Sequence, residues 1–196
     1  MNNTQTQLSN TQIQLKNTQE ELKGTKRKLE EKVNTLENRL MQFPGVHTWK
    51  ITDFSEVLQQ AKSGEQTEIK SDPFYDRGYK FQLSLYPNGC SPGENIHISI
   101  FVCIMKGEYD AILSWPFCKK VTFTLVDQQE DPNDRINITY SFTADAKTFK
   151  ESFIRPVKDE LLGVGTPTFV SHDKLKQRRY IVDDTIFIQV EVAPPR

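Results

Sequence analysis

The amino-acid sequence predicts a mainly β protein, an eight-stranded antiparallel β-sandwich preceded by an α-helical coiled coil. Leucine recurs at every seventh position near the start of the chain. After Pro44-Gly45 the pattern changes to short runs in which apolar and polar residues alternate. Turn-forming residues separate about eight such runs, as in antiparallel sandwiches. We therefore divide the chain into a coiled-coil oligomerisation segment, 1–43, and a β-domain, 44–196.

The composition argues against several classes of protein. Lys and Arg total 25 against 26 for Asp and Glu, and a net charge of −1 does not favour binding to nucleic acid. The sequence contains no run of about 18 apolar residues, so no membrane span is predicted. Three cysteines are too few for a disulfide framework, so we expect a reduced, cytoplasmic protein. The hydrophobic fraction of 36% is low, and we attribute this to the polar N-terminal segment.

The heptad repeat in 1–43 is the basis of the coiled-coil prediction. A strict repeat of seven residues imposes a left-handed supercoil, because it keeps one seam of the helix facing a partner. The alternative is a single solvated helix, but one leucine per two turns buries too little surface to order a lone helix. Heptads alone do not distinguish a trimer from a dimer. The predicted oligomerisation residues are Leu8, Leu15, Leu22, Leu29, Val33, Leu36 and Leu40.

The second segment contains the predicted strands. Alternation of apolar and polar residues places them at 47–53, 79–86, 95–105, 120–126, 137–142, 169–171 and 185–192. In the third of these, Ile96, Ile98, Ile100 and Val102 are expected to face inward. Helical spacing of apolar residues predicts the domain's one helix over 54–62. Asp183-Asp184 is interpreted as a hairpin turn before the last strand, the alternative being a pair of catalytic acids.

The motifs of the common enzyme classes are absent from the sequence. The histidines His47, His97 and His172 are far apart, and none has metal-ligand spacing with a cysteine. There is no glycine-rich phosphate loop and no nucleophile motif. The basic run at 176–179 either contacts phosphates or is a solvated loop, and its few cations favour the loop. We therefore expect no enzyme activity, no cofactor and no metal, and binding remains as the function.

Two aromatic residues lie on the polar face of neighbouring predicted strands. Tyr86 and Phe101 both alternate with residues assigned to the core. Either this face packs under a loop or a second sheet, or it forms a shallow aromatic platform for a peptide. The sequence pattern leaves both alternatives open.

Several segments together resemble the tumour-necrosis-factor-receptor-associated factor (TRAF) family. They include GVHTWKITDF (45–54), PFYDRGYKFQLSLYPNG (73–89), HISIFVCIMKGEYDAILSWPF (97–117) and YIVDDTIFIQVEV (180–192). The resemblance covers about three-quarters of the chain, in order. It implies the C-terminal TRAF, or MATH, domain on a parallel trimeric coiled coil. It also implies a homotrimeric signalling adaptor that binds short extended peptides from the cytoplasmic tails of TNF-type receptors or from other adaptors.

In the family, the peptide adds a strand to a sheet edge. The resemblance assigns that edge to Gly163–Thr168. Its composition fits independently, because Pro167 lacks a backbone donor and is tolerated at an edge, while Gly163 and Gly165 allow another backbone to approach. The peptide-binding residues implied are Ser84, Tyr86, Cys90, Phe101, Phe142, Ser152, Gly163, Val164, Gly165, Thr166 and Pro167.

Two of these positions depart from the family pattern. Ser84 stands where common receptor-binding members have an arginine that pairs with a peptide carboxylate. Loss of such a charge-assisted bond could weaken acidic-motif binding by ~10–100-fold. Cys90 stands where an acid is frequent. Both changes predict an altered motif preference in a retained groove.

Two further expectations come from the same comparison. Family members generally carry a RING domain and zinc fingers before the coiled coil, and these residues contain neither, so ubiquitin-ligase activity is not expected in them. The chain is expected to be a fragment or a short natural form. The alternative function is an assembly scaffold that contacts other subunits or a membrane surface, with a vestigial groove.

Overall fold

The computed structural model describes residues 7, 13–30, 32, 45–145, 147–157 and 162–193. The chain divides into two compact units, residues 1–42 and 43–196. In the first unit, residues 13–30 are helical. Leu15, Leu22 and Leu29 are exposed on this helix, at the predicted seven-residue spacing. The other predicted oligomerisation residues lie outside the described residues: Leu8, Val33, Leu36 and Leu40.

The second unit is a sandwich of two antiparallel sheets, which confirms the predicted β-sandwich, although the described residues form nine strands where eight were predicted. One sheet has four strands in the order β1-β9-β6-β7, and the other has the order β2-β4-β5-β8 with β3 also paired to β4. The strands are β1 (His47–Ile51), β2 (Ile69–Lys70), β3 (Phe74–Asp76), β4 (Tyr79–Tyr86), β5 (His97–Met105), β6 (Lys120–Leu125), β7 (Ile138–Thr143), β8 (Val164–Ser171) and β9 (Ile186–Ala193).

The core lies between the sheets and follows the predicted alternation. In β4, every second side chain is buried, and in β9 the inward face is equally apolar. This alternation fixes the register, because a slip of one residue would turn the whole apolar set to the solvent. The fully buried members of these two strands are Phe81, Leu83, Leu85, Ile186, Ile188, Val190 and Val192.

A helix at Phe54–Ser63 agrees with the prediction, and the predicted turn at Asp183-Asp184 holds its N-terminus. Both aspartates have positive φ angles, of 47° and 53°, in a tight turn closed by the pairing of Val182 with Thr185. The Asp184 carboxylate accepts hydrogen bonds from the Ser55 amide and hydroxyl, at 2.8 and 2.7 Å. A carboxylate here satisfies orphan N–H groups of the first helical turn, so the acidic pair has a structural role.

The structure corrects several expected boundaries. The domain has further short helical turns at Pro132–Asp134, Lys150–Phe153 and His172–Leu175. Ile96 is 57% exposed and does not face inward, because a turn ends with the amides of Ile96 and His97 both bonded to the Gly93 carbonyl. The last strand but one begins at Val164, well before the predicted residue 169. The two-residue β2 and the three-residue β3 were not predicted.

An ion pair joins the loop after β6 to the segment before β9. The Arg178 Nε donates to Oδ2 of the fully buried Asp127 at 2.5 Å, and its Nη2 contacts the Asp134 carbonyl. Asp127 Oδ2 also accepts from the Ile136 amide at 3.0 Å. One residue of the basic run 176–179 is thus occupied by an internal carboxylate.

Candidate functional site

A pocket of about 340 Å³ opens on the face of the five-stranded sheet that is turned away from the core. It extends from β2, across β4 and β5, to the start of β8. Two of its lining residues are charged, two are cysteines and two are aromatic. The lining residues are Glu68, Lys70, Ser84, Tyr86, Cys90, Phe101, Cys103, Leu162 and Gly163.

Strand pairing brings residues from four strands into one row beneath this pocket. Lys70 pairs with Ser84, Ser84 with Phe101, and Phe101 with Gly165. Directly paired residues in an antiparallel sheet point to the same face. The row therefore places a cation, a hydroxyl, an aromatic ring and a bare backbone side by side.

The two aromatic residues of the pocket contact each other. The rings of Tyr86 and Phe101 lie edge to face, with centroids 5.8 Å apart and an interplanar angle of 89°. Both side chains are half-buried. Burial raises the pKa of the Tyr86 hydroxyl, and the nearby Glu68 carboxylate raises it further. Tyr86 therefore keeps its proton at neutral pH and can act as a hydrogen-bond donor in the pocket.

The two cysteines of the pocket differ in their surroundings. The Cys90 amide donates to the Ser99 hydroxyl at 3.0 Å, and that hydroxyl donates to the Pro167 carbonyl at 2.7 Å. This link joins the loop after β4 to the irregular middle of β8. Burial raises the pKa of the Cys103 thiol, while Lys70 partly opposes the shift.

Strand β8 ends the strand order of its sheet. Among the described residues, no strand pairs with its second edge. A Cβ atom at Gly165 would lie 2.0 Å from the Ile100 carbonyl oxygen, so this glycine allows close approach of β5 within the domain. At Gly163 the nearest contact would be 3.0 Å, to the Phe101 Cβ.

Comparison with known proteins places the fold in a family. The sequence profile of the MATH domain matches residues 46–192. The chain is 40% identical over 160 residues to TNF receptor-associated factor 2 of Homo sapiens, covering 80% of this chain and 31% of that protein. It is 36% identical over 170 residues to TNF receptor-associated factor 5 of Mus musculus, covering 82% of this chain and 30% of that protein.

The chain belongs to the TRAF family. A solved structure of Notothenia coriiceps TRAF5 is 27% identical, with a TM-score of 0.70, and the match covers 96% of both chains. The chain spans about 30% of the length of the TRAF relatives in the sequence comparison. Within the described residues, no helix combines the length and apolar character needed to cross a bilayer.

Five of the residues implied by the TRAF resemblance line the pocket: Ser84, Tyr86, Cys90, Phe101 and Gly163. Val164 and Thr166 are buried, so their side chains point away from it. Gly165 and Pro167 are half-buried on β8. These four residues can offer a ligand mainly their backbone.

Phe142 and Ser152 do not line the pocket. Phe142 lies on β7 of the other sheet, where its ring stacks on Phe153 with centroids 6.4 Å apart. Ser152 is buried in the short helix Lys150–Phe153, where its amide donates to the Phe149 carbonyl. Strand β7, which carries Phe142, contacts β8.

The sequence analysis missed Glu68, Lys70, Cys103 and Leu162. Lys70 on β2 and Cys103 on β5 become neighbours only through strand pairing, and Glu68 directly precedes β2. For Cys103 a signal was present, because it alternates with the inward residues of its strand. The described residues contain no group of three His, Cys, Asp or Glu side chains that could hold a metal ion.

Proposed function

We propose that this TRAF-family chain is a signalling adaptor that binds short extended peptides from the cytoplasmic tails of TNF-type receptors or from other adaptors. The curated relatives are TNF receptor-associated factors, which supports the class of partner. Such tails lie in the cytoplasm, so we infer that the chain acts there.

One observation carries the peptide-binding proposal. The aromatic pocket of Tyr86 and Phe101 extends to Leu162 and Gly163, directly before β8, which is a strand with a free edge among the described residues. A peptide added to a sheet edge gains affinity from main-chain hydrogen bonds, while side-chain pockets give selectivity. The edge of β8 would supply the main-chain hydrogen bonds, and the pocket would supply the selectivity.

The aromatic residues suit a peptide that must bind without a deep cavity. Their rings offer apolar area at low cost in side-chain entropy. Each single site is shallow, so we expect modest affinity for one peptide.

We propose that a homotrimer compensates for this modest affinity. The support is the row of exposed leucines at seven-residue spacing in the helix 13–30, which a partner helix would cover. A trimer that engages clustered receptor tails gains affinity through effective concentration, without any new contact.

An array of overlapping peptides from receptor cytoplasmic tails tests the proposal. We expect the full chain to bind a subset of peptides that share an extended motif, and Phe101→Ala to lose these signals. Phe187→Ala is the matched control, because Phe187 is half-buried on the other sheet. If no peptide is bound above background, the proposal is wrong and the assembly-scaffold alternative is favoured.

A further inference from the structure

We infer that Lys70 is the specificity-determining cation of this pocket and that it selects peptides carrying an acidic side chain. The inference rests on the proposed peptide-binding function and names the ligand chemistry at the same site. It assigns this role to β2, at the position paired with Ser84 on β4.

The strand register places Lys70 beside Ser84 at the pocket. Lys70 is the direct cross-strand partner of Ser84, and both line the pocket. The Ser84 side chain is short and the residue is buried, so it leaves room above it for a longer neighbour. Lysine has a long flexible stem with three donors at its tip, and it can extend over a small partner.

Lys70 is the only cation among the described residues that line the pocket. The charge of Lys70 reaches the pocket, because it acts to lower the pKa of the Cys103 thiol against the effect of burial. The other polar groups are hydroxyls, thiols and the Glu68 carboxylate. A peptide carboxylate that enters the pocket therefore has one charged partner available to it.

The pairing of Lys70 with Glu68 leaves donors available for a ligand. Their closest nitrogen-to-oxygen distance is 3.8 Å, longer than a hydrogen bond. The Lys70 side chain is 55% exposed, against 30% for Glu68. Glu68 also lies against the Tyr86 hydroxyl, so the lysine is the more accessible of the two charges. This asymmetry favours an acidic ligand over a basic one.

Glu68 is then a competitor for the same ammonium group. An incoming carboxylate would share the Lys70 ammonium group with Glu68 and would meet its like charge. Removal of the Glu68 charge should therefore strengthen the binding of acidic peptides, while removal of the Lys70 charge should weaken it. A general loss of structure would weaken peptide binding in both variants, so it would not explain opposite changes in affinity at these two positions.

Selection from a library of short random peptides tests the inference. The peptides are displayed as internal segments, so that no terminal carboxylate is free, and are selected on the full chain. For the wild type we expect one position enriched in Asp and Glu by about three- to tenfold, between the effects of an exposed ion pair and a charge-assisted hydrogen bond. Lys70→Gln should abolish this acidic enrichment and retain the other preferences, and Glu68→Gln should increase it.

Lys50→Gln provides the matched control, because Lys50 is an exposed strand lysine on the other sheet. It should leave the acidic enrichment unchanged, and thermal unfolding confirms that each variant folds. Two outcomes would contradict the inference about Lys70 and leave the proposed function standing. In one, the enriched peptides have no acidic position. In the other, Lys70→Gln leaves the acidic position intact. No enrichment of any peptide by the wild type would overturn the proposed function as well.

Discussion

Tyr86 and Phe101 meet edge to face on neighbouring strands, with ring centroids 5.8 Å apart, and both stay half-buried. Tyr86 ends β4, and Phe101 lies opposite Ser84, two residues before it. The pair is therefore diagonal across the sheet and is not part of the core between the sheets. The sequence left two alternatives for this face, packing under a loop or a second sheet and a shallow platform for a peptide. Neither of them predicted that the two rings would be half-buried.

Phe101→Ala should weaken binding of a selected peptide about tenfold, since aromatic residues in pockets dominate such interfaces. Its cost to the free energy of unfolding should be about 1–2 kcal/mol, because a half-buried ring loses less than a core ring. Calorimetric titration and chemical unfolding measure the two effects. Tyr86→Ala should behave in the same way.

The control Phe187→Ala should lower stability by a similar amount and leave peptide affinity unchanged. If Phe101→Ala and Tyr86→Ala both unfold the domain, their face is core and the platform interpretation is wrong.

Gly165→Ala should destabilise the domain by about 1–3 kcal/mol, toward the upper end, because its Cβ would lie 2.0 Å from the Ile100 carbonyl oxygen. The neighbouring Gly163→Ala should cost under about 1 kcal/mol, since its nearest contact would be 3.0 Å and the residue is exposed. Thermal unfolding of both variants checks the order. Equal losses would show that β8 moves away from β5 freely.

Acid should destabilise the protein partly through Asp127. Burial acts to raise the pKa of this carboxyl, but hydrogen bonds from the Ile136 amide and Arg178, together with the arginine's charge, outweigh burial and hold the pKa below its usual value. A carboxyl with a lowered folded-state pKa stabilises the fold above its unfolded pKa of about 4, and this contribution disappears as the pH falls through the folded value.

Asp127→Asn should therefore be less stable than the wild type at neutral pH and lose less further stability in acid. Urea unfolding between neutral pH and about pH 2 measures the difference. Asp173→Asn is the control, because Asp173 is exposed and its ion pair with Lys176 lies on the surface. An acid response of Asp127→Asn equal to that of the wild type would contradict this account.

Deletion of 1–43 should give a folded monomeric β-domain with unchanged affinity for a single peptide. Binding to clustered peptide should fall by about 100-fold or more, because effective concentration is lost. Sedimentation measures the mass, and titration with free and immobilised peptide measures the two affinities. A trimer that persists after the deletion would refute the oligomerisation proposal. As a second test, Leu22→Lys with Leu29→Lys in the full chain should also give monomers.

The sequence predicted the sandwich well where strands are long and one face is apolar. In β9, four buried apolar residues alternate with more exposed ones, and no helical interpretation competes. The short β2 and β3 have too few residues for any periodicity. The first half of β8 was missed as a strand because Gly163, Gly165 and Pro167 have turn-like composition, although the same residues marked it as an edge.

The candidate site was predictable only in part. Tyr86 and Phe101 were found by alternation within their strands. Lys70 was not, because it lies in a polar stretch without alternation, and only its pairing with Ser84 places it at the pocket. Phe142 and Ser152 were assigned by resemblance, and the structure places them outside the pocket, on β7 and in the short helix Lys150–Phe153. A register between distant strands is tertiary information that a local pattern does not contain.

A crystal structure of the chain with a selected peptide tests the central claim most directly. We predict an extended peptide along the free edge of β8, with side chains over Tyr86 and Phe101 and an acidic side chain at Lys70. A peptide bound elsewhere on the domain, with the pocket empty, would contradict the account.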